Sequence, residues 1–428
     1  MLLPRQEVAV MNNTFAERIK RFVVANIVPI VFIVVCFLGV IYSGSSPEII
    51  LMDLISRFDR NAFLVLSLII PIVTGMGLNF GIVLGAMAGQ TGLFIVSVLQ
   101  LEGITAIVVA SIISVPLALL LGWMTGNLLN KTKGQEMITS MILGFFASGV
   151  YQFIYLFFLG GIIPIDAPSI MLSQGIGVRN TIDLTPMKYA LDNIWKLDIF
   201  TAVSLFSAAF LVWFAIKLLV KKVRTTKNYA MMAVCVAGII FGLIAANIPA
   251  LKNYKTFCQI PMIPFILIAL LCVLVQAFIK TKLGQNMRAV GQDSKVASVS
   301  GINVNKTRVT SICVSTVIAA LGQIIFLQNL GNMSTYNAHE NVGMFSAAAL
   351  LIGGASVSKA TVGQALMGTL LFHLLFNVSP VAGKNIFGSA ELGEYFRVFI
   401  AYGIIAVTLA LYAWKKLMQS KEKNKITE

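Results

Sequence analysis

Apolar runs of membrane-crossing length, separated by short polar and charged stretches, repeat through almost the whole chain. A hydrocarbon core about 30 Å thick takes about 20 apolar residues in helical form. Twelve crossings can be drawn on that basis, at residues 22–43, 62–78, 80–100, 104–122, 136–159, 199–220, 229–247, 261–280, 309–328, 342–357, 360–377 and 395–414. The second, third and tenth are weak, and the count falls to ten if weak segments are half-helices that stop short of crossing. Barrel strands would instead alternate in polarity over segments of about 10 residues. The pattern therefore predicts an all-α polytopic membrane protein with 10–12 transmembrane helices.

Composition supports this and removes other classes. Of the 428 residues 58% are hydrophobic and 11% charged, against roughly a quarter charged in ordinary soluble domains. The net charge of +15 does not point to nucleic acid, because Lys and Arg sit in short blocks between apolar runs and form no basic stripe. They act instead as orientation signals. Placing both termini in the cytoplasm puts most of the 32 Lys and Arg residues inside, as the positive-inside rule requires. The deciding blocks are Lys221, Lys222, Arg224 and Lys227, then Lys280 to Arg308, then the tail from Lys415 and Lys416.

A cytoplasmic segment 1–21 carries Arg18, Lys20 and Arg21 ahead of an apolar run too long for a signal-peptide core, so that run is expected to stay as the first helix. A single membrane domain over 22–414 follows, with a polar cytoplasmic tail over 415–428. Two external stretches stand out, Gly160–Asp198 and Val378–Gly393. The first has room for a short helix over Thr185–Trp195 and is either a dock for an external protein or a plain connector. Cys36, Cys235, Cys272 and Cys313 fall in apolar runs and Cys258 in a loop, so five free thiols are expected.

Two regions look broken. One is Pro71–Gly92, with glycines at 75, 77, 81, 85, 89 and 92, and the other is Gly331–Gly363. Paired interrupted segments in the two halves point to a transport path and an inverted repeat, since open backbone at bilayer depth survives where protein or a water-filled cavity satisfies it. Small residues also let helices pack closely, and the pattern leaves both readings open. Near the breaks lie Asn79, Gln90, Gln323, Gln328, Asn332, Glu340 and Asn341, with Phe80 and Phe326 beside them. Amides donate and accept hydrogen bonds and aromatic faces suit rings, so a neutral polar solute is consistent. Each amide has the alternative of bonding a neighbouring helix. His373 reads as a helix contact and His339 as a loop pair with Glu340. Two histidines and no clustered cysteines support no metal site.

Catalysis has no footing in the chain, which lacks a phosphate-binding G-x-x-x-x-G-K-[ST] loop. An ion-coupled carrier would place an ionisable residue at mid-membrane depth, and the drawn spans contain almost none: Glu102 lies at a loop and Lys217 near a cytoplasmic end. A non-transporting membrane scaffold would have no use for paired glycine breaks.

The segment from Lys280 to Arg308 is too polar to cross and too patterned for a plain connector. Met287, Val290, Val296, Ala297 and Val299 offer apolar contacts among Arg288, Asp293 and Lys295, and a helix-ending turn is expected at Gly301. The run MRAVGQDSKVASVSGINV resembles the signature loop of bacterial ABC-importer permeases of the simple-sugar and nucleoside group, related to branched-chain amino acid permeases. Arg288, Ala289, Gly291, Ala297, Gly301, Ile302 and Asn303 match the family pattern; Asp293 stands where the family has Asn, which changes the charge offered to a docking partner.

The stretch ENVGMFSAAALLIGGASVSKATVGQALMGTLL resembles the family's glycine-rich segment, with its pair Gly353 and Gly354. GMGLNFGIVLGAMAGQ resembles the nucleoside-type segment ending at Gly89 and Gln90, with Ala88 in place of the family's acidic residue. The resemblance implies a location in the bacterial plasma membrane, in contact with lipid. It also implies a cytoplasmic ABC ATPase that holds the ATP and Mg, docked on residues 281–308. A second permease copy or paralogue and an external solute-binding lipoprotein complete the set, and import proceeds by alternating access. No cofactor is expected in this chain and no nucleic acid as partner.

Overall fold

The computed structural model describes residues 23–24, 26–173, 175–219 and 226–400, then 402–403, 406–407, 410–411 and 414. The segment 1–21, the basic residues Lys221, Lys222 and Arg224, and the tail 415–428 lie outside the described residues, as does the side chain of Lys227.

The elements run α1 (Ile27–Ser43), α2 (Pro47–Ser67), α3 (Ile69–Val73), α4 (Ile82–Val98), α5 (Gly103–Lys131) and α6 (Glu136–Phe153), the last continued by a π-helical turn over Ile154–Phe158. Next come β1 (Thr181–Asp183), β2 (Lys196–Asp198), α7 (Ile199–Leu219), α8 (Thr226–Ala245), α9 (Lys252–Phe257), β3 (Gln259–Pro261) and α10 (Met262–Lys280). Then follow α11 (Lys282–Gln292), α12 (Ser294–Val299), α13 (Val304–Leu330), β4 (Asn332–Ser334), α14 (Val342–Ile352) and α15 (Val362–Phe387).

Among the described residues seven helices are long and apolar enough to cross a bilayer: α5, α6 with its π turn, α7, α8 from Asn228, α10, α13 and α15. Helices α1, α4 and α14 are shorter and apolar. Among the described residues of α7 just Phe200 and Ala202 are buried, and Phe145 and Phe146 of α6 are 71% and 68% exposed. Such surfaces belong in lipid or against another membrane chain, since soluble proteins rarely expose contiguous apolar faces of this extent. The chain is an all-α multi-pass membrane protein.

Several expected boundaries move. The span drawn at 62–78 is replaced by α2, which begins at Pro47 with Glu48 in its first turn, residues suited to a helix start. Asp53, Arg57, Asp59 and Arg60 interrupt its hydropathy, so an apolar-run reading starts too late. Thr185–Trp195 is not an α-helix: a 3-10 turn over Thr185–Met187 is flanked by β1 and β2. β1 pairs antiparallel with β4, Thr181 opposite Ser334, and β2 pairs antiparallel with β3, Lys196 opposite Pro261. These pairings tie the long connector 160–198 to the end of α13 and the start of α10, which settles its backbone hydrogen bonds without a helix. Val378–Gly393 is no open loop, because α15 runs through Pro380 to Phe387, stops at Gly388 (φ +78), and helical backbone resumes over 390–400.

The chain forms two compact units, residues 45–344 and residues 1–44 with 345–428. In the larger unit α13 packs against α2, α4 and α5. Gly85 and Gly89 of α4 lie on the carbonyls of Thr316 and Ala320. A Cβ at Gly122 or Gly126 of α5 would sit 2.9 Å from the Cα of Cys313 or Val309. Glycines four apart thus let three helices meet backbone to backbone, and α4 is continuous through Gly85, Gly89 and Gly92. In this part of Pro71–Gly92 the close-packing reading holds, and the break is confined to residues 74–81, where Gly75 (φ +79) and Gly77 (φ +70) are left-handed.

In the smaller unit α1 packs on α15, a Cβ at Gly39 meeting the Val378 side chain at 2.9 Å. Asn385 donates to the Ser43 carbonyl at 2.9 Å. Gly353 lies on the Gln364 carbonyl and Gly368 on that of Ala349, so the glycine-rich segment there is a helix contact too. His373 is buried in α15, beside the Phe372 ring at 5.0 Å. All five cysteines are free; Cys258, expected in a loop, is buried between α9 and β3.

Candidate functional site

The segment between α10 and α13 folds as two short helices with a cap at each start. Thr281 accepts from the Gly284 amide at 3.3 Å, Asp293 from Lys295 and Val296 at 2.8 and 3.1 Å, and Asn303 from Lys306 at 2.9 Å. Asp293 is therefore the N-cap of α12, a place where Asp and Asn serve equally well. That explains why the replacement leaves the local fold intact. Gly301 (φ +83) ends α12, with the Ile302 amide returning to the Ala297 carbonyl at 3.0 Å.

Met287, Val290 and Ala297 are buried, whereas Val296 is 62% and Val299 91% exposed. Arg288 and Asp293 are exposed, and Ala289, Gly291 and Ile302 half-buried. Helix α11 meets the break before α4 directly. A Cβ at Gly291 would lie 3.0 Å from the Gly75 amide nitrogen, and one at Gly75 would lie 2.8 Å from the Gly291 Cα.

The break itself carries Asn79 and Phe80. The Asn79 Oδ1 accepts from the Gly81 amide at 2.9 Å and the Phe80 amide donates to Ser140 at 3.2 Å, while the buried Asn79 Nδ2 has no hydrogen-bond partner among the described residues. Further along, Gln90 of α4 and Gln323 of α13 hold the chain between α13 and α14. Gln90 Nε2 donates to the Ser334 carbonyl at 3.3 Å and Gln323 Nε2 to the Ala338 carbonyl at 3.1 Å. The Gln90 Oε1 is 2.7 Å from His339 Nδ1, so that nitrogen carries the proton, and Nε2 faces the Ser148 hydroxyl at 3.2 Å.

His339 is fully buried and set edge-on to the Tyr151 ring, 5.0 Å between centroids. The expected pair with Glu340 does not form, because Glu340 is exposed and the histidine turns inward to an amide and a hydroxyl. Burial pushes the imidazole down to about 4, below its unfolded value near 6.5. As pH falls below 6.5 the unfolded chain takes up this proton first, so stability is complete above that value and is lost as pH falls towards 4. His339→Gln is expected to remove up to about 3 kcal/mol of that pH-dependent loss. Thermal unfolding of both proteins between pH 7 and 4, with the mutant curve flatter, checks it.

The third polar region lies at the far end of α13. A cavity of about 400 Å³ is lined by residues of α2, of the 160–198 connector, and of the stretch around β3. Asp192 accepts from Gln328 at 3.3 Å and from Asn329 at 3.1 Å. The Asn329 Oδ1 accepts from Ser56 at 3.2 Å and from Arg60 at 3.4 Å, and the Arg60 guanidinium lies 5.6 Å above the Phe326 ring. Burial raises the Asp192 carboxyl above its usual range, against the hydrogen bonds from Asn329 and Gln328. Asp59 is 1% exposed and lines the same cavity.

The eight proposed pathway residues thus divide. Asn79 and Phe80 sit at the break, Gln90 and Gln323 around His339, and Phe326 and Gln328 beside the cavity. Asn332 and Asn341 are exposed. Asp59, Arg60, Asp192, Asn329 and Tyr189 were not expected: Asp59 and Arg60 lie ahead of the span drawn from residue 62, and α2, which starts at Pro47, draws them into the bundle. The signal was present as DR at positions 59–60, facing the same side as Ser56, three to four residues away. Among the described residues no three His, Cys, Asp or Glu side chains group as metal ligands do.

The nucleoside ABC transporter permease protein NupC of Lactococcus lactis subsp. cremoris is 28% identical over 175 residues, 41% of this chain and 53% of that protein. The xylose transport system permease protein XylH of Haemophilus influenzae is 30% identical over 152 residues, 35% of this chain and 37% of that protein. The ribose import permease protein RbsC of Bacillus subtilis is 28% identical over 168 residues, covering 39% and 48%. The matched stretches span about half or less of those relatives' lengths. No solved structure matches the chain. The model of one family, described as branched-chain amino acid transport system / permease component, matches residues 50–409, a stretch that takes in α2 from Ile50 onward, the break, the capped pair α11–α12 and the cavity. The chain belongs to that family of transport permease components.

Proposed function

We propose that the chain is the membrane-spanning permease subunit of a binding-protein-dependent ABC importer, moving a small polar ring solute of the sugar or nucleoside class inward by alternating access. A separate cytoplasmic ATPase with its ATP and Mg drives the cycle. A second permease copy or paralogue completes the pathway, and an external lipoprotein delivers the solute. In this reading both termini and α11–α12 face the cytoplasm of a bacterial cell.

One observation carries the proposal. Of the two capped helices, α12 presents Val296 and Val299 outward among polar residues, while Gly291 of α11 rests on the left-handed break at Gly75. An exposed apolar pair of this kind suits a protein partner, and the glycine contact passes a push on α11 into the segment that holds Asn79 and Phe80. The relatives named for nucleoside, xylose and ribose transport support the solute class.

A second reading gains one observation: the buried Asp59 of α2 is the type of residue through which an ion-coupled carrier works. Proteoliposomes holding the assembled complex separate the two. Uptake is expected to stop without the ATPase or ATP and to survive collapse of proton and sodium gradients; the reverse pattern overturns the proposal. A Val299→Cys variant is expected to crosslink to the ATPase and to react with impermeant thiol reagents from the cytoplasmic side alone.

A further inference from the structure

Helix α13 has 27 residues, about 40 Å at 1.5 Å per residue, with α11–α12 at its start and the cavity of about 400 Å³ at its end. The volume is that of a small-molecule site. Asp59 lines it, is 1% exposed, and receives no hydrogen bond on either side-chain oxygen from a described residue. Buried polar atoms are almost always partnered, so one facing a cavity without a partner marks a place where something binds. Asp192, also a lining residue, is held in position by Gln328 and Asn329. Tyr189 lines the cavity too, at φ +55, a left-handed conformation that a bulky residue takes when its surroundings impose it, as at ligand clamps. Its amide is fixed to the Gln328 carbonyl at 3.0 Å.

We infer that this cavity is a solute-contact site for a polyhydroxylated ring compound, in which Asp59 and Asp192 bind neighbouring hydroxyls of a sugar or ribosyl moiety. The inference rests on the permease reading for what the contact serves. The choice of hydroxyl follows from hydrogen-bond inventory. A carboxylate needs donors, a carboxylic acid needs an acceptor, and a hydroxyl supplies both. An ammonium ligand donates but adds positive charge where Arg60 and Lys196 already stand close to the two acids. A phosphate or carboxylate ligand would meet two acidic groups. Metal ions are disfavoured by ligand count, since no three metal-binding side chains group among the described residues.

The test uses the full chain in lipid nanodiscs, with binding of D-ribose, D-xylose, uridine, 2′,3′-dideoxyuridine and putrescine followed by saturation-transfer NMR. Uridine and at least one of the two sugars are expected to bind, with the dideoxy compound weaker by about tenfold or more. Asp59→Leu is expected to lose uridine binding by a similar factor while the protein stays folded, because it replaces with an apolar side chain a buried carboxyl whose oxygens accept no hydrogen bond among the described residues. Asp59→Ala removes the carboxylate without filling the cavity and carries the same binding test where leucine does not fit. Equal binding of uridine and its dideoxy analogue overturns the inference. So does unchanged binding in a folded Asp59 variant, a preference for putrescine, or binding by none of the hydroxylated probes. ATP-driven uptake that is unaffected by Asp59→Leu overturns the site and leaves the permease reading standing. Uptake that ignores the ATPase overturns the permease reading and leaves the measured probe binding as it is.

Discussion

Replacing Gly291 with valine is expected to lower solute uptake about tenfold or more while membrane insertion and ATP hydrolysis by the partner persist. The Gly291 Cα faces backbone, with the Val73 carbonyl, the Thr74 carbonyl carbon and the Gly75 nitrogen in the path of any side chain. Backbone cannot swing aside as a rotamer does, so α11 must lift or the break at 74–77 must shift. Overpacking of a fitted contact costs about 1–3 kcal/mol, and about 1.4 kcal/mol is tenfold in a rate. The damage should appear in coupling and not in folding, because the contact joins two segments at the edge of the bundle and the α4–α5–α13 packing lies elsewhere. Gly301→Asn is the control: its Cβ would meet nothing within 4 Å, and asparagine tolerates φ +83. Uptake and hydrolysis measured together in proteoliposomes decide the matter; a valine variant with full uptake sinks the mechanical role of the glycine pair.

What could be read from the chain itself follows from which forces are local. Helix caps are set within three residues, so the turn at Gly301 and the polar pattern of 281–303 are legible in the residues alone. Apolar runs are also local, and those drawn at 136–159, 199–220, 229–247 and 261–280 became α6 with its π turn, α7, α8 and α10 with ends shifted by a few residues, whereas α5 continues well past its drawn end to Lys131. The reading failed where long-range partners decide. Asp59 and Arg60 look like the end of a polar loop, yet α2 buries one face against α13, and Asn329, some 270 residues away, receives the Arg60 guanidinium. His339 next to Glu340 looks like a charge pair. Its actual partners are Gln90 and Ser148, and hydropathy carries no trace of either. Glycines at 85, 89 and 92 are ambiguous by sequence because a broken helix and a tightly packed one use the same residue. The carbonyls of Thr316, Ala320 and Ala110 decide for packing. Whether Asn79, Gln90 or Gln328 touches solute is a different kind of question, since a buried amide bonds a neighbouring backbone and a passing hydroxyl by the same chemistry.

The second large effect is expected at Arg308, a residue that the sequence assigned to the cytoplasmic block but that lies inside the first turns of α13, 7% exposed. Its guanidinium donates to Glu136 at 2.5 Å and to the Leu129 carbonyl at 3.3 Å. It thereby fastens the end of α5 and the start of α6 to α13, next to the close approach of Gly126 and Val309. Arg308→Met removes the positive partner and leaves a carboxylate and a carbonyl in a poorly hydrated place. Breaking a buried pair from one side costs about 3–5 kcal/mol, a large fraction of the net stability of a typical domain. The Gly134 amide still donates to Glu136 at 3.0 Å, which places the expectation at the lower end of that range. The double variant Arg308→Met with Glu136→Leu removes the stranded charge and should recover most of the loss. Unfolding of the single and double variants in mixed micelles gives the coupling directly. If the double variant is no more stable than Arg308→Met, the ion pair is not what holds α5 and α6 to α13, and the glycine contacts alone must carry that end of the bundle.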